Sequence, residues 1–220
     1  MADLGGRTVL EEVLRRCRAV PGVDVVVCAI PEGREDAVLR DPAERSGAVV
    51  VEGAALDVRS RYARAAAAVG ASVVMRVTSD CPLIDPALCA AVLAAREATG
   101  VDYCSNNLTP GFPHGLDCEA FTTDSLVRSL TETSEPFDVE HVTPWLRRSE
   151  TVTRAALNGP GGRFLDARWT LDYPEDIAFL RAVFALLPPP PAIPGWREVY
   201  DLLDCRSEIV ELNRARKVER

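Results

Sequence analysis

Apolar and polar positions along the chain follow two rhythms, one helical and one of strands, and the two take turns. Thr8-Val9-Leu10-Glu11 has the form of a capping box, with Thr8 capping the amide three residues on and Glu11 reaching back. Leu10, Val13, Leu14 and Cys17 then share one helical face. Pro21-Gly22 breaks that helix. Val23 to Ile30 is a near-continuous, valine-rich apolar run, the pattern of a strand buried on both faces. A short helix is expected around Glu35 to Arg45, and Ala48 to Val51 is a second buried strand closed by Gly53. Val58, Tyr62, Ala65, Ala66 and Val69 form the next helical face, with Gly70 placed to end it, and Ser72 to Thr78 is a third valine-rich strand.

The second half is less regular. Pro86 to Thr99 reads as a helix and Asp102 to Ser105 as a short strand, followed by a loop rich in Asn, Pro and Gly from Asn106 to Gly115. Ser125 to Leu130 and Val139 to Arg147 have helical spacing, with Pro144 a kink or boundary. Val152 to Leu157 and Arg168 to Leu171 are strand candidates, and Pro174 opens a helix reaching Leu187. Pro188 to Pro191 make a stiff spacer before a tail, Trp196 to Arg220, with room for one or two short helices. Repeated strand–helix–strand units imply an α/β fold with a doubly wound, mostly parallel sheet. The expected organisation is one α/β domain over residues 1–187 and a proline-rich spacer with a helical tail over 188–220, with no internal repeat.

Composition narrows the class. The 220 residues suffice for one domain with a sizeable core, and 47% hydrophobic and 26% charged residues are ordinary for a globular protein. A net charge of -8 argues against non-specific nucleic-acid binding. An anionic substrate would then need a local positive site or a metal ion. No apolar run approaches the ~18 residues that span a bilayer, and Met1 to Arg7 has no apolar signal region. The seven cysteines are odd in number and include no Cys-x-x-Cys pair, which reads as reduced core thiols in a cytoplasmic protein.

In doubly wound sheets, ligands bind beyond the carboxyl ends of the strands. Asp80, in Thr78-Ser79-Asp80-Cys81-Pro82-Leu83-Ile84-Asp85-Pro86, lies directly past the third strand, where a carboxylate can hold magnesium near a phosphate. Asp85 reads as the cap of the helix opened by Pro86. Asp172, in Arg168-Trp169-Thr170-Leu171-Asp172-Tyr173-Pro174-Glu175-Asp176, is either a second metal ligand or a plain helix cap, with Glu175 and Asp176 favouring the helix dipole; spacing alone favours the cap. In His114-Gly115-Leu116-Asp117-Cys118-Glu119, Asp117 and Glu119 suit sugar hydroxyls, and a solvated loop before a strand fits as well. His141, in Glu140-His141-Val142-Thr143-Pro144, has no second metal-ligating partner nearby, so substrate positioning or structure is favoured over zinc. Arg59, Arg61 and Arg76 either steer phosphate or solvate a helix face.

Taken together, these segments resemble the cytidylyltransferase family that includes acylneuraminate and ketodeoxyoctonate cytidylyltransferases, with the spore coat polysaccharide biosynthesis F-type proteins as the nearest branch. The likeness runs in order from about Asp3 to Leu187: Asp3-Leu4-Gly5-Gly6-Arg7, Val25 to Ile30, Leu56 to Tyr62, Arg76 to Asp85, Tyr103 to Asn106, His114 to Glu119, Glu140 to Pro144, and Arg168 to Asp176. The resemblance implies a nucleotide-diphospho-sugar transferase fold (Rossmann-like) and a definite reaction. A sugar hydroxyl attacks the α-phosphate of CTP, giving a CMP-sugar and pyrophosphate, for a surface polysaccharide. By the same resemblance, Asp80 and Asp172 match the family's Mg2+-binding aspartates. Arg76, Asn106, His114, Asp117, Glu119 and His141 fall in the matching segments and are the expected substrate contacts. Because dimerisation is common among such proteins, a homodimer is a further expectation, with the loop from Asn106 to Gly115 as its candidate contact.

One departure qualifies that reading. Family members open with a strand and a loop of the type Arg-x-Gly-Ser-x-Arg-Leu-Pro-x-Lys that cradles the nucleotide, whereas Asp3-Leu4-Gly5-Gly6 lies just after that loop. Roughly twenty residues are missing by this comparison, one strand plus a loop. The expected consequence is an unfilled position in mid-sheet, with two facing strand edges unpaired and an apolar slot between them. A native start upstream of Met1 would restore the enzyme reading. A true truncation would leave a catalytically inactive binding or scaffold subunit. A glycosyltransferase of the same architecture is the third reading, although Asp80-Cys81-Pro82 is not the Asp-x-Asp motif of that class.

Overall fold

A computed structural model describes residues 2–215. The helices begin where local chemistry favours them. Thr8 Oγ1 accepts the Glu11 amide at 3.3 Å and the Glu11 carboxylate accepts the Thr8 amide at 2.9 Å, so the capping box opens α1 (Val9–Arg18) as read. Then come β1 (Val27–Pro31), a 3-10 turn over Asp36–Leu39, α2 (Arg40–Arg45) and β2 (Val49–Gly53). Helix α3 (Val58–Val69) ends at Gly70 in the left-handed conformation and leads to β3 (Val73–Arg76). Asp85 caps α4 (Pro86–Thr99), and β4 (Tyr103–Ser105) follows.

Beyond the loop come β5 (Glu119–Thr122), α5 (Thr123–Glu132), α6 (Pro136–His141), α7 (Pro144–Arg148) and β6 (Arg154–Ala156). A 3-10 turn over Gly162–Asp166, α8 (Pro174–Leu186), α9 (Trp196–Asp204) and α10 (Ser207–Val210) complete the chain. The tail holds the two short helices expected of it; its last residues, 216–220, lie outside the described part.

The strands form two sheets. β1 and β2 pair in parallel, and a four-stranded sheet has the order β3-β5-β4-β6. β5 is antiparallel to β3 and to β4, while β4 and β6 are parallel, so β3, β4 and β6 run one way and β5 alone runs against them. Among the described residues, β1 pairs only with β2, and β3 only with β5. Their free edges face a cavity of about 1150 Å³, walled by Val27, Ile30, Val73 and Val74 with Val13 of α1 and Val58 of α3. The open slot and unpaired edges expected from the sequence are therefore present. They also explain why no residue of β3 is fully buried, although its composition suits a strand covered on both faces.

Three segments depart from the reading of the sequence. Val23 to Val26 are not strand, and Val25 is 46% exposed, because this stretch borders the slot rather than a neighbouring strand. Arg168 to Leu171 is not a strand either: it makes one isolated bridge, His114 to Arg168. The helix expected over Val139 to Arg147 is broken into α6 and α7 at Val142, whose φ is 72°, just before Pro144. The strand expected after the 114–119 loop, for which the sequence set no bounds, is β5, and it begins within that segment, at Glu119.

The main core joins Leu4, Val13, Leu83, Leu116, Trp169 and Phe179 to Trp196, Val199 and Leu203 of α9, so the tail packs on the body of the protein. A second cluster, around Cys89, Val92, Cys104, Cys118 and Ala120, glues α4 to β4 and β5. All seven cysteines are free, and four of them are buried. Among the described residues, no helix is long and apolar enough to cross a membrane.

Candidate active site

Three of the four segments singled out in the sequence converge beyond β3. The turn after β3 closes on Thr78 O and Cys81 O, which accept the amides of Cys81 and Ile84 at 3.3 and 3.1 Å. Asp85 Oδ1 then accepts the amides of Ala87 and Leu88, and its Oδ2 accepts the Trp196 amide at 2.7 Å. Asp85 is thus the helix cap that was expected, and it also anchors α9.

Asp80 is tied to the 168–172 segment twice. Its carbonyl accepts the Leu171 amide at 2.9 Å, and its Oδ2 accepts the Thr170 hydroxyl at 3.1 Å. The 114–117 loop is laid along the same segment: His114 N donates to Ala167 O at 3.0 Å and Trp169 N to His114 O at 2.7 Å. Gly115 makes this approach possible. Its φ is +101°, and a Cβ there would lie 2.6 Å from the Trp169 carbonyl carbon, so no other residue fits without displacing backbone. Asp80, in the turn beyond β3, and Asp172, one residue past the bonded Leu171, therefore stand on adjoining loops.

Asp172 does not cap α8. Its side chain, 45% exposed, pairs with Arg168 Nη2. The capping is done by Asp176, whose Oδ2 accepts the amides of Asp172 and Tyr173, both at 3.0 Å. Burial alone would raise the Asp176 carboxyl. Hydrogen bonds from Arg168, from these amides and from Asn213 outweigh it and hold the group below the usual carboxylate range. Next to Asp80, the Cys81 thiol is pushed well up by burial and by the Asp80 charge, so it is a neutral packing group.

The expected substrate contacts divide. Asp117, one-third exposed, stays near Asp80's neighbours: its Oδ2 accepts the Gly115 amide at 3.2 Å and lies 3.4 Å from His114 Nδ1. Burial raises the Asp117 carboxyl, but His114 and the Gly115 amide hold it lower overall. Glu119 is buried and fully engaged. It bonds Arg76 at 2.8 Å, Tyr103 Oη at 2.5 Å and Thr143 Oγ1 at 2.8 Å, with Arg147 at 3.8 Å. Arg76, one end of this network, lines the slot. The Asn106 carboxamide is spent on Leu116 O and the Cys118 amide, at 2.7 and 2.9 Å, and so shapes the loop from behind. His141 is exposed at the end of α6, its ring edge-on to Phe137 at 4.3 Å.

Arg59 and Arg61 do not solvate a helix face, and Arg61 lines the same cavity as Asp80. Both are buried: Arg59 donates to Ser129 O and Thr133 O, and Arg61 to Ala54 O and Ala55 O. Three participants went unread in the sequence: Thr170 on Asp80, Arg168 between Asp172 and Asp176, and Asn213. Arg168 and Asp172 are four apart in an extended stretch, where that spacing carries no helical meaning, and Asn213 lies more than forty residues downstream. In the candidate dimer loop, only Thr109 and Pro110 remain exposed; Gly111 packs backbone to backbone on Gly159, and Phe112 packs on Trp196.

Comparison with known proteins gives the family and the fold. The family model described as cytidylyltransferase matches residues 1–170. The spore coat polysaccharide biosynthesis protein SpsF of Bacillus subtilis is 27% identical over 191 residues, covering 84% of this chain and 78% of SpsF. An uncharacterized protein of Methanocaldococcus jannaschii is 29% identical over 146 residues, which span 66% of this chain but only 59% of that protein. Among solved structures, a cytidylyltransferase from Leptospira borgpetersenii superposes with a TM-score of 0.87 at 22% identity, over 98% of this chain and 90% of that one. CMP:2-keto-3-deoxy-manno-octonic acid synthetase, solved with CTP, superposes with a TM-score of 0.60 at 14% identity, over 83% and 90% of the two chains. With a family match over more than three quarters of its length, and with the fold shared, this chain belongs to the cytidylyltransferase family.

Proposed function

We propose that this protein transfers CMP from CTP to a hydroxyl of a sugar, releasing pyrophosphate, in the cytoplasm and in the service of surface polysaccharide synthesis. The observation that carries the proposal is the joining of the Asp80 turn to the Thr170–Asp172 segment, which sets two carboxylates on adjoining loops. This donor set fits Mg2+, which takes one or two carboxylates and completes its shell with phosphate oxygens and water. Among the described residues no cluster of three or more His, Cys, Asp or Glu is placed to enclose a metal, so those remaining positions would belong to nucleotide and water.

In this reading Asp80 and Asp172 hold the ion, which when bound neutralises charge developing on the phosphate oxygens. Thr170 and Arg168 fix the two carboxylates before substrate arrives. Asp117, steadied by His114 and the Gly115 amide, accepts a sugar hydroxyl and orients it. The hydroxyl proton passes to the Asp117 carboxylate as the hydroxyl oxygen bonds to the α-phosphorus and the bond to the bridging oxygen of the β-phosphate breaks, so that pyrophosphate leaves with that oxygen. Positioning of this kind supplies much of an in-line displacement's acceleration. The relation to SpsF supports the polysaccharide setting.

The test is pyrophosphate release from CTP with Mg2+, assayed against a panel of 2-keto-3-deoxy sugar acids and neutral sugars. Asp80→Asn and Asp172→Asn are expected to lower kcat at least ~100-fold with circular dichroism unchanged. Release that persists in both variants, or that no sugar stimulates, would overturn the assignment.

A further inference from the structure

The tail beyond α10 contributes one buried polar side chain. Asn213 is 4% exposed, while its neighbour Leu212 is 42% exposed, so at this point the chain dips inward through a single residue. Its Nδ2 donates to Arg168 O at 3.1 Å and to Asp176 Oδ1 at 3.0 Å. A carboxamide nitrogen has two hydrogens, and both are committed here. Asp176, wholly buried, accepts on its two oxygens from Asn213, from Arg168 Nε and Nη2 at 3.2 and 3.1 Å, and from the amides of Asp172 and Tyr173. Arg168, 7% exposed, passes this order outward by its bond to the Asp172 carboxylate. The chain of contacts runs from a buried base to a half-exposed carboxylate.

We propose that Asn213 is a positioning residue that, through Asp176 and Arg168, fixes the direction in which Asp172 faces a divalent cation; this rests on the reading of Asp172 as a cation ligand. Only a side chain that donates twice at this length bridges the Arg168 carbonyl and the Asp176 carboxylate at once. Without it, Asp176 Oδ1 loses a donor and the Arg168 backbone loses a tether. The guanidinium is then held at fewer points, and the carboxylate it steers spreads over more orientations. Partners one shell out from a metal ligand commonly change metal affinity 10–100-fold. Asn213 lies outside the residues matched by the family model, so the tail is a part of this chain that the shared motif does not specify.

The test titrates the whole chain with Mn2+, read by electron paramagnetic resonance, for the native protein, Asn213→Ala, Asp172→Asn and Val199→Ala. The last trims a buried apolar side chain of α9 that makes no hydrogen bond in the network, and controls for loss of stability. Asn213→Ala is expected to weaken Mn2+ binding about tenfold while Val199→Ala, with a comparable fall in Tm, leaves it unchanged. Equal affinity in Asn213→Ala and the native protein, or equal weakening in Val199→Ala, overturns the proposal. If Asp172→Asn binds Mn2+ like the native protein, the ligand reading of Asp172 fails. The role of Asn213 is then decided by the NMR resonances of the Arg168 Nε–H and the Asp172 amide. Movement of both in Asn213→Ala alone keeps Asn213 as the positioner of Asp172, and stillness overturns it.

Discussion

Single residues in this protein are held by how many hydrogen-bonding sites they use and how closely the backbone approaches them. Gly115 is the sharpest case, because both its φ of +101° and its contact with the Trp169 backbone exclude a side chain. Gly115→Ala is expected to cost about 1–3 kcal/mol from the strained backbone alone, with more from the clash. In hydrogen exchange the Trp169 amide, which donates to His114 O, should lose protection first. Glu119 is held in the opposite way, by an excess of donors. Removing it in Glu119→Ala strips Arg76, Tyr103 and Thr143 of a shared acceptor, and an expected loss of about 3 kcal/mol follows from leaving a charge without its partner. Urea unfolding of Glu119→Ala against Tyr103→Phe, which gives up one hydrogen bond worth about 1 kcal/mol, separates the charge from the hydroxyl. Asp85 could be read from sequence because a cap is a local event. Asn106 could not, since its partners Leu116 and Cys118 meet it only through the turn of the loop.

At the scale of elements, the boundaries that were legible are those set by local rules: the Thr8–Glu11 box, Gly70 after α3, Asp85-Pro86 before α4, Pro174 at the start of α8. Those that were not depend on what lies alongside. Arg168 to Leu171 has the composition of a strand, but the neighbour it meets is the 114–117 loop and the Asp80 turn, which offer scattered acceptors rather than a ladder. The α6–α7 junction is also set from outside, by a pair that closes the corner. Arg148 donates to both oxygens of Asp138, at 2.6 and 2.5 Å, and Thr133 Oγ1 donates a third bond. These hydrogen bonds, Arg148 first, hold the Asp138 carboxyl below the usual range, and Asp176 is lowered as well. A carboxylate whose folded pKa is depressed adds stability that is fully present above the unfolded value near 4 and is lost as pH falls through the folded value. Stability should therefore fall from about pH 4 downward, and the fall should be shallower in Asp138→Asn, which has nothing to protonate there. Parallel slopes for the two proteins would count against the pair.

At the scale of the whole molecule, the sheet is interrupted where the fold needs continuity. Valine-rich runs on both sides were legible as strands, and their residues do wall one space, yet β1 and β3 each have a partner on one side only. A strand with one free edge has half its amides and carbonyls, those facing the slot, without ladder partners, so they must be met by water. β4 and β5 differ, since each is bonded on both sides. Local stability follows this division, because openings need only break the bonds that exist. Native-state hydrogen exchange should consequently show two classes of strand in one protein. The amides of Tyr103 to Ser105 and Glu119 to Phe121 should exchange slowest, near the global unfolding limit. Alternate amides of Val27 to Ile30 and Val73 to Arg76, those directed at the slot, should exchange at rates close to those of surface loops, while their neighbours in each strand stay protected. The alternation is the diagnostic: a uniformly fast β3 would mean that the strand frays as a whole, and a uniformly slow one would mean that the slot is closed in solution. A β3 that frays as a whole would loosen the candidate site as well, because Asp80 lies four residues beyond that strand and is held to Thr170 and Leu171.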